Sequence, residues 1–428
     1  MTHENHKASC SEYAELSRRG FLARSGAAMA AGITSPAWMP RVAMAAPGGN
    51  PRDVMVHVFL RGGIDGMTAI VPHGDADFYN LRPNIAVPPP GQQNGALDLD
   101  GFFGVNPNGA PLLTPYNNGH LAIVHAAGST DPTLSHFDAM KAMEGGVPNQ
   151  SLVNVQSGWL GRHLNDTTSV GPGYVRGLAI SDLMPLHLLG SDAALPINAP
   201  QDFEFIGRTT TSKARRQATE AMYVNAEEPL ASAAAATFAT VDLLASVEFE
   251  NYSSAGLIPY PTSLFGQKLR ATAAMIKAGI ALEAVSIDYG GWDHHESQGP
   301  LNGVFSILFA DLTLCLEAFY LDLLADGFLD STVTLVMTEF GRRADENGSL
   351  GTDHGHASMM LAMGGHIAGG QVFSNWPGLA ACQLVDSALA VTTDYRDVTG
   401  EILVNRMGNT NLGSIFPNHT PQFIGITV

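Results

Sequence analysis

Residues 53–66, Asp-Val-Met-Val-His-Val-Phe-Leu-Arg-Gly-Gly-Ile-Asp-Gly, contain an apolar run that leads directly into a glycine-flanked aspartate. An apolar run of this length is typical of a strand that is buried on both faces of a sheet. In open α/β sheets, ligands bind beyond the carboxyl ends of such strands. The stretch therefore predicts a buried first strand over residues 53–60 and places Asp65 where a site is expected.

The rest of the chain alternates strand-like and helix-like segments. Apolar runs at 121–128, 284–288 and 332–337 predict three further strands, and helical patterns cover 264–279 and 301–325. Such alternation favours helices packed on both faces of a parallel sheet. We therefore expect an α/β fold with a doubly wound, mainly parallel sheet.

Two regions are expected to depart from this alternation. The alanine-rich segment 213–248 predicts helices, and we expect residues 195–262 to form a helical insertion in a single domain that spans 47–428. Residues 83–118, rich in proline, glycine and asparagine, predict a long excursion at the rim of the sheet.

The N-terminal segment carries an export signature. The run Ser17-Arg18-Arg19-Gly20-Phe21-Leu22 resembles the twin-arginine motif, and a small-residue cleavage site follows at 43–45. We expect a signal peptide over 1–46, the twin-arginine export machinery as a partner, and a periplasmic or secreted protein. The alternative is a frayed amphipathic arm.

Composition excludes several classes of partner. The chain has 22 Lys and Arg against 40 Asp and Glu, a formal net charge of −18. It lacks the basic footprint of a nucleic-acid-binding protein, and no run after the signal is expected to span a membrane. Cys315 and Cys382 are expected to be buried free thiols, with a disulfide between them as the alternative.

Two short clusters supply metal-ligand chemistry. Gly291-Trp292-Asp293-His294-His295 and Gly351-Thr352-Asp353-His354-Gly355-His356 each place carboxylate and imidazole groups among glycines after a predicted strand. Carboxylate oxygen and neutral imidazole nitrogen are ligands for Zn²⁺, Mn²⁺ and Fe. The candidate ligands are Asp293, His295, Asp353, His354 and His356. The alternative is a pair of surface loops with solvated charges.

Two further carboxylates are candidate metal ligands. Asp65 follows the first predicted strand, and Glu339 follows the strand 332–337. A turn aspartate that bonds its own backbone would look the same as a ligand at Asp65. Glu339 could instead form an ion pair with Arg342, which otherwise could face an anionic substrate.

Ser135 and His136 precede a predicted helical segment at 139–144. A helix N-terminus favours anions, and a serine there is either a plain N-cap or a nucleophile. His136 could be a metal ligand, an acid–base group or a packing residue.

Taken together, these segments resemble domain-of-unknown-function family 1501, and the resemblance runs from about residue 53 to the C-terminus. The matching segments are Leu60–Gly66, Ser135–Phe137, Gly291–His295, Thr338–Arg342, Gly351–His356 and Thr392–Asp397. The family is grouped with the alkaline phosphatase and sulfatase superfamily and is typically exported through the twin-arginine route. The resemblance implies an alkaline phosphatase-like fold with a two-metal site at the carboxyl edge of the sheet.

The resemblance also implies roles for individual residues. Asp65 takes the position of the first metal ligand, and Ser135 takes that of the nucleophile. Asp293 and His295 match an Asp…His pair, although one residue separates them where the superfamily usually has three.

The next superfamily ligands fall in the second cluster. Asp353 and His354 match the Asp-His pair, with His356 as a candidate for the last histidine. The chain departs from the pattern after the strand 332–337: either Glu339 takes the ligand role there, or about ten residues from Arg342 to Gly351 are an insertion.

We therefore expect an exported metal-dependent hydrolase of phosphate or sulfate esters, with two divalent ions and a candidate serine nucleophile. Zn, Mn, Fe, Ca and Mg are not distinguished by the sequence. The substrate would be a small anionic ester, whose oxygens Arg342 or Arg61 could bind. The alternatives are a non-catalytic metal-binding exported scaffold protein and another enzyme class, such as a transferase or mutase, on the same fold.

Overall fold

A computed structural model of the chain describes residues 52–151, 155–168, 175–204, 209–228 and 230–428. The predicted signal peptide, 1–46, lies outside these residues. The strands are β1 Val54–Arg61, β2 Ile70–Val71, β3 Leu97–Asp98, β4 Gly104–Val105, β5 Leu121–Gly128, β6 Gly177–Ala179, β7 Ala194–Pro196, β8 Ala284–Gly290, β9 Thr332–Thr338, β10 Ser358–Gly364, β11 Gln371–Phe373 and β12 Thr393–Asp394.

The described α-helices lie between and after these strands. They are α1 Gly66–Ala69, α2 Ala76–Leu81, α3 Leu113–Asn117, α4 His136–Gly145, α5 Trp159–Asp166, α6 Ser212–Tyr223, α7 Leu230–Ala245, α8 Leu264–Lys277, α9 Val304–Ala325, α10 Tyr395–Asn405 and α11 Leu412–Ile415. Helices α6 and α7 fall within 195–262, where an insertion was predicted.

The central sheet has the order β11-β5-β10-β9-β1-β8-β6-β7, with β12 also paired to β5. Strand β1 lies between β8 and β9 and is parallel to both. Strand β10 is antiparallel to both of its neighbours, β9 and β5. The sheet is therefore mixed but mostly parallel, which confirms the predicted α/β class. Strands β3 and β4, in the proline-rich excursion, form a small separate sheet with β2, which precedes it.

Successive side chains of β1 enter two different hydrophobic cores. Val56 and Val58 belong to a cluster with residues of α8 and α9, such as Phe265 and Phe319. Met55 and Phe59 belong to a cluster with residues of α5 and α10, such as Trp159 and Ile402. Because side chains alternate across a strand, this division places one helical layer on each face of the sheet. Because both faces of β1 are buried, its sequence does not alternate between apolar and polar residues.

Helix α9 corrects one expectation from the sequence. With 22 residues and a mean hydropathy of 1.8, it has the length and composition to cross a membrane, although no such run was expected. Yet 56% of its most apolar window is buried inside the protein, and Phe305, Phe309 and Phe319 pack into the core. This helix packs as a core helix, and the described residues contain no clear transmembrane span.

The two described cysteines are both free. Cys315 is buried in α9, whereas Cys382 is exposed, so the expected burial is wrong for Cys382 and the alternative disulfide is not formed.

Candidate metal centre

One oxygen of Asp293 lies close to three imidazole nitrogens. Asp293 Oδ1 is 3.0 Å from Nε2 of His295, 3.2 Å from Nε2 of His354 and 3.5 Å from Nε2 of His136. The Nε2 atoms of His295 and His354 are themselves 2.9 Å apart. The ligand-type atoms of His136, Asp293 and His354 thus form one compact group, and His295 adjoins it through Asp293 and His354.

The parallel strands explain why these segments meet. Asp293 and His295 follow β8, His354 lies in the connection between β9 and β10, and His136 is the first residue of α4. Strands β8 and β9 both run parallel to β1, so their carboxyl ends reach the same edge of the sheet. A Cβ atom at Gly62, which follows β1 with φ of +118°, would lie 2.7 Å from the backbone nitrogen of Asp293. Only glycine leaves room for this approach.

Each of the three imidazoles is held through its other nitrogen. Nδ1 of His136 is 2.8 Å from Glu339 Oε1, Nδ1 of His295 is 3.1 Å from Asp353 Oδ1, and Nδ1 of His354 is 2.7 Å from the carbonyl oxygen of Leu134. Because all three partners are acceptors, each Nδ1 carries the proton and donates it. In a neutral imidazole the Nε2 lone pair is then left to face Asp293, which is how proteins orient histidine ligands of a metal.

Glu339 is itself firmly bound. It is completely buried, and its Oε1 accepts a hydrogen bond from the backbone N–H of Gly62 at 2.7 Å. Its Oε2 accepts one from the hydroxyl of Thr338 at 2.9 Å. The sequence left two possibilities open for Glu339, a metal ligand and an ion pair with Arg342. In the structure Glu339 contacts neither Asp293 nor Arg342. Glu339 instead orients His136.

The electrostatics of the cluster suit a cation. Burial opposes protonation of His136, yet the carboxylates of Asp293 and Glu339 raise its pKa to about 9. Burial would raise the pKa of Asp293, but the three imidazoles and Arg342 lower it well below the usual range. The carboxylates therefore attract positive charge to this point. A divalent cation could replace the protons there.

The donor set fits a metal ion. His136, Asp293 and His354 each offer an atom within 4.8 Å of the others, and Nε2 of His136 is buried without a hydrogen-bond partner. In a tetrahedral site with bonds of about 2.1 Å, ligand atoms are about 3.4 Å apart. The distances of 2.9–3.5 Å from Asp293 Oδ1 and between the two Nε2 atoms are close to that spacing.

Asp65 is not brought into the cluster. Its Oδ2 is 2.6 Å from Arg82 Nη1 and also accepts hydrogen bonds from Gln298 at 2.8 Å and Thr68 at 2.7 Å. It is buried and caps the N-terminus of α1 through Thr68 N–H. The carboxylate thus caps a turn, which was the alternative that its sequence context allowed, and it also pairs with Arg82, which was not predicted.

Arg342 lies inside the fold rather than on the pocket surface. The side chain is buried, and it donates to Asp293 Oδ1 at 2.7 Å. Its remaining N–H groups bind backbone carbonyls of residues 62–63, Trp292 and Thr352. With its donors committed in this way, Arg342 holds Asp293, and it does not line the pocket beside the cluster.

His356 and Ser135 are the remaining candidates. His356 Nε2 is 3.8 Å from Asp386 and has no hydrogen-bond partner, and this residue does not join the cluster. Ser135 is the N-cap of α4 but makes no side-chain cap hydrogen bond. It is adjacent in sequence to His136 but does not line the neighbouring pocket.

A pocket of about 220 Å³ opens beside the cluster. It is lined by Arg61, Gly62, His136, Phe137, Met140, Gly290, Gly291, Trp292, Asp293 and Glu339. Arg61 is the only arginine or lysine among these lining residues. It contacts Glu144 and Asp288, neither of which was predicted as a site residue. Glu144 lies in α4 and Asp288 in β8, where nothing in the local sequence pattern distinguishes them.

Several solved structures are similar to this chain at low identity. Ps i-CgsB in complex with k-i-k-neocarrahexaose is 8% identical, with a TM-score of 0.38, over 85% of this chain and 74% of that chain. A protein in the alkaline phosphatase superfamily from Vibrio parahaemolyticus is 11% identical, with a TM-score of 0.32, over 79% and 67%. Alkaline phosphatase from the Antarctic bacterium TAB5 is 9% identical, with a TM-score of 0.29, over 76% and 94%.

At TM-scores below 0.5, these likenesses carry no conclusion about function. A comparison with curated protein sequences found no match. One family model does match, over residues 121–405, which is more than half of the chain. This protein therefore belongs to the family described as "Protein of unknown function (DUF1501)".

Proposed function

We propose that this protein is a metal-dependent hydrolase of phosphate or sulfate esters. The observation that carries the proposal is the approach of three imidazole Nε2 atoms to one oxygen of Asp293, with every Nδ1 already bound to an acceptor. Neutral imidazole and carboxylate ligands suit Zn²⁺, Mn²⁺ and Fe. The ligands in this proposal are His136, Asp293, His295 and His354.

The surrounding residues have supporting parts. Glu339 and Asp353 orient two of the ligand histidines, and Arg342 fixes Asp293. A bound divalent ion would supply Lewis-acid polarisation of an ester oxygen. Arg61 would bind the anionic group of the ester in the adjoining pocket.

We propose one ion rather than two. The second metal of the two-metal expectation would need Asp65 as a ligand. The Asp65 carboxylate is buried against Arg82. If it bound a metal instead, the buried guanidinium of Arg82 would be left without a counter-ion. Asp353 orients His295 through its Nδ1, so it too is occupied.

We propose Ser135 as the candidate nucleophile, at the edge of the site and outside the residues that line the pocket. Its hydroxyl is not used to cap α4, and it precedes the ligand His136 directly. If Ser135 is the nucleophile, the reaction passes through a covalent intermediate on its hydroxyl oxygen. If water is the nucleophile, the reaction does not require Ser135. Ser135→Ala separates the two: near-complete loss of turnover supports the serine, and retained turnover supports water.

We further propose that the protein acts outside the cytoplasm. The support is the twin-arginine motif at Arg18 and Arg19. Replacement of both arginines by lysine should keep the protein in the cytoplasmic fraction of cells that otherwise export it.

The first test is the metal content of the protein purified without chelator. Wild type should carry about one transition-metal ion per chain, His354→Ala should carry almost none, and His366→Ala, at an exposed histidine, should match wild type. The loaded protein is then assayed against aryl and alkyl phosphate and sulfate esters. Wild type that folds but takes up no metal would exclude the proposal. Metal uptake without turnover of any ester would favour a non-catalytic metal-binding exported protein.

A further inference from the structure

Arg61 holds two carboxylates that differ in their exposure to solvent. Its Nη2 contacts Glu144 Oε1 and lies 2.9 Å from Asp288 Oδ1. The Glu144 side chain is 6% exposed, whereas that of Asp288 is 33% exposed. One guanidinium thus carries a buried counter-ion, Glu144, and a partly exposed one, Asp288, whose Oδ1 makes no hydrogen bond.

Glu144 is fixed from several directions. Its Oε2 accepts a hydrogen bond from the backbone N–H of Leu186 at 3.1 Å. Its Oε1 is 3.5 Å from Nδ1 of His187, whose Nε2 is 2.7 Å from the hydroxyl of Ser286. Despite its burial, Arg61 and His187 lower the pKa of Glu144 to about 2, so the carboxylate is charged. Glu144 therefore anchors Arg61 in place.

The guanidinium is also held by softer contacts. It lies over the ring of Phe59, at 4.5 Å from the ring centroid, and Nη1 is 3.0 Å from the sulfur of Met140. A thioether is a weak hydrogen-bond acceptor, so this N–H would gain from an anionic oxygen. Arg61 and Met140 both line the pocket beside the metal cluster.

The two ion pairs should respond differently to an incoming anion. Separation of a buried pair leaves an uncompensated buried charge and is strongly unfavourable. A partly exposed pair contributes little to stability, because water readily solvates the released carboxylate. An anion that enters the pocket would therefore displace Asp288 and leave Glu144 where it is.

We propose that Asp288 occupies the place on Arg61 that the oxyanion of a substrate takes, while Glu144 holds the guanidinium in position. The bound group would be a tetrahedral oxyanion, phosphate or sulfate, whose oxygens match the fork of Arg61. This inference rests on the proposed function and specifies which residue recognises the anion. Asp288 is thus an internal competitor for the anion, and Glu144 is a positioning residue.

The test measures binding of inorganic phosphate to the metal-loaded protein by calorimetry. Asp288→Asn should tighten binding about fivefold, because a competing pair worth up to about 1 kcal/mol is removed. Glu144→Gln should weaken it about tenfold or more, because Arg61 loses its anchor, and Arg61→Ala should weaken it at least as much. The opposite signs are the decisive result, since a merely electrostatic role predicts tighter binding in both carboxylate variants.

Two carboxylates elsewhere serve as matched controls. Asp326 is 47% exposed and pairs with Lys277, and Glu283 is 3% exposed and pairs with Arg176. Asp326→Asn and Glu283→Gln repeat the two charge changes away from the pocket and should leave phosphate affinity unchanged. If Glu144→Gln fails to fold, Asp288→Asn still decides: unchanged or weaker binding overturns the proposal.

Kinetics then separate this inference from the proposed hydrolase. In an active enzyme, Asp288→Asn should lower KM and Glu144→Gln should raise it, with unchanged metal content in both. Turnover with KM shifts of the same sign would overturn the role of Asp288 and leave the hydrolase standing. Opposite shifts in phosphate affinity without turnover of any ester would support the anion site and overturn the hydrolase.

Discussion

Glu339 and His136 form a buried carboxylate–imidazole pair, with 2.8 Å between Oε1 and Nδ1. The pair turns Nε2 of His136 toward Asp293 and makes the imidazole a stronger ligand. Asp353 does the same for His295, but its side chain is 47% exposed. The Glu339–His136 and Asp353–His295 contacts are thus alike in kind, but only the second is accessible to water.

Glu339→Gln should lower the affinity for Zn²⁺ or Mn²⁺ by about 10- to 100-fold, because His136 loses its charged partner. Asp353→Asn should have a smaller effect, because water can replace an exposed acceptor. Competition with a chromophoric chelator measures both dissociation constants. If the two substitutions lower metal affinity equally, or if Glu339→Gln does not lower it, burial of the carboxylate does not determine its effect on the ligand histidine.

The fold was predictable wherever burial alone determined the pattern. β1, β8 and β9 are mainly apolar runs, and the structure places their starts and ends within two residues of the sequence predictions. The antiparallel direction of β10 was not predictable in this way. No strand was predicted over residues 358–364, and a strand's own residues do not record its direction.

The candidate site was predictable in part for the same reason. Asp293, His295 and His354 follow strands that end at one edge of the sheet, so topology brings them together. Asp65 also follows such a strand, but its partner Arg82 lies in an irregular segment where no periodicity reveals a contact. Glu339 and Asp353 were recognised as site residues, but sequence spacing could not show that they bind Nδ1 atoms.

Gly62→Ala should disrupt the metal centre. A left-handed backbone conformation costs an alanine about 1–2 kcal/mol. At Gly62 the added Cβ would also lie 2.7 Å from Asp293 N and displace that residue. Metal affinity should therefore fall by about tenfold or more, as when the support of a ligand is lost.

Gly91 provides the control for this substitution. Its φ is +84°, and an added Cβ would meet nothing within 4 Å. Gly91→Ala should show the conformational cost in urea unfolding but keep wild-type metal affinity. If the two variants bind metal equally well, the close approach of Gly62 to Asp293 does not support the site.

Two buried histidines should make the protein less stable in mild acid. Burial lowers the pKa of His125 and of His163 to about 4, against a usual value near 6.5. Between these values the unfolded chain binds a proton that the folded chain does not, so the free energy of unfolding decreases as pH falls from about 6.5 to 4. The limiting slope is about 1.4 kcal/mol per pH unit for each histidine.

Urea unfolding of the metal-free protein at several pH values measures this slope. His163→Gln should make the slope shallower, whereas His366→Gln, at an exposed position, should leave it unchanged. A slope that is the same in wild type and His163→Gln would show that His163 takes up its proton in the folded state too.

Removal of the metal should lower the stability of the folded chain. A ligand that binds only the folded state adds about 2.7 kcal/mol at a free concentration of 100 Kd, so a chelator should lower the melting temperature of wild type. His354→Ala, which lacks one ligand, should melt at the same temperature with and without chelator, and His366→Ala should respond like wild type. An equal response to chelator in all three proteins would place the bound metal elsewhere in the chain, because the cluster around Asp293 would then contribute nothing to its retention.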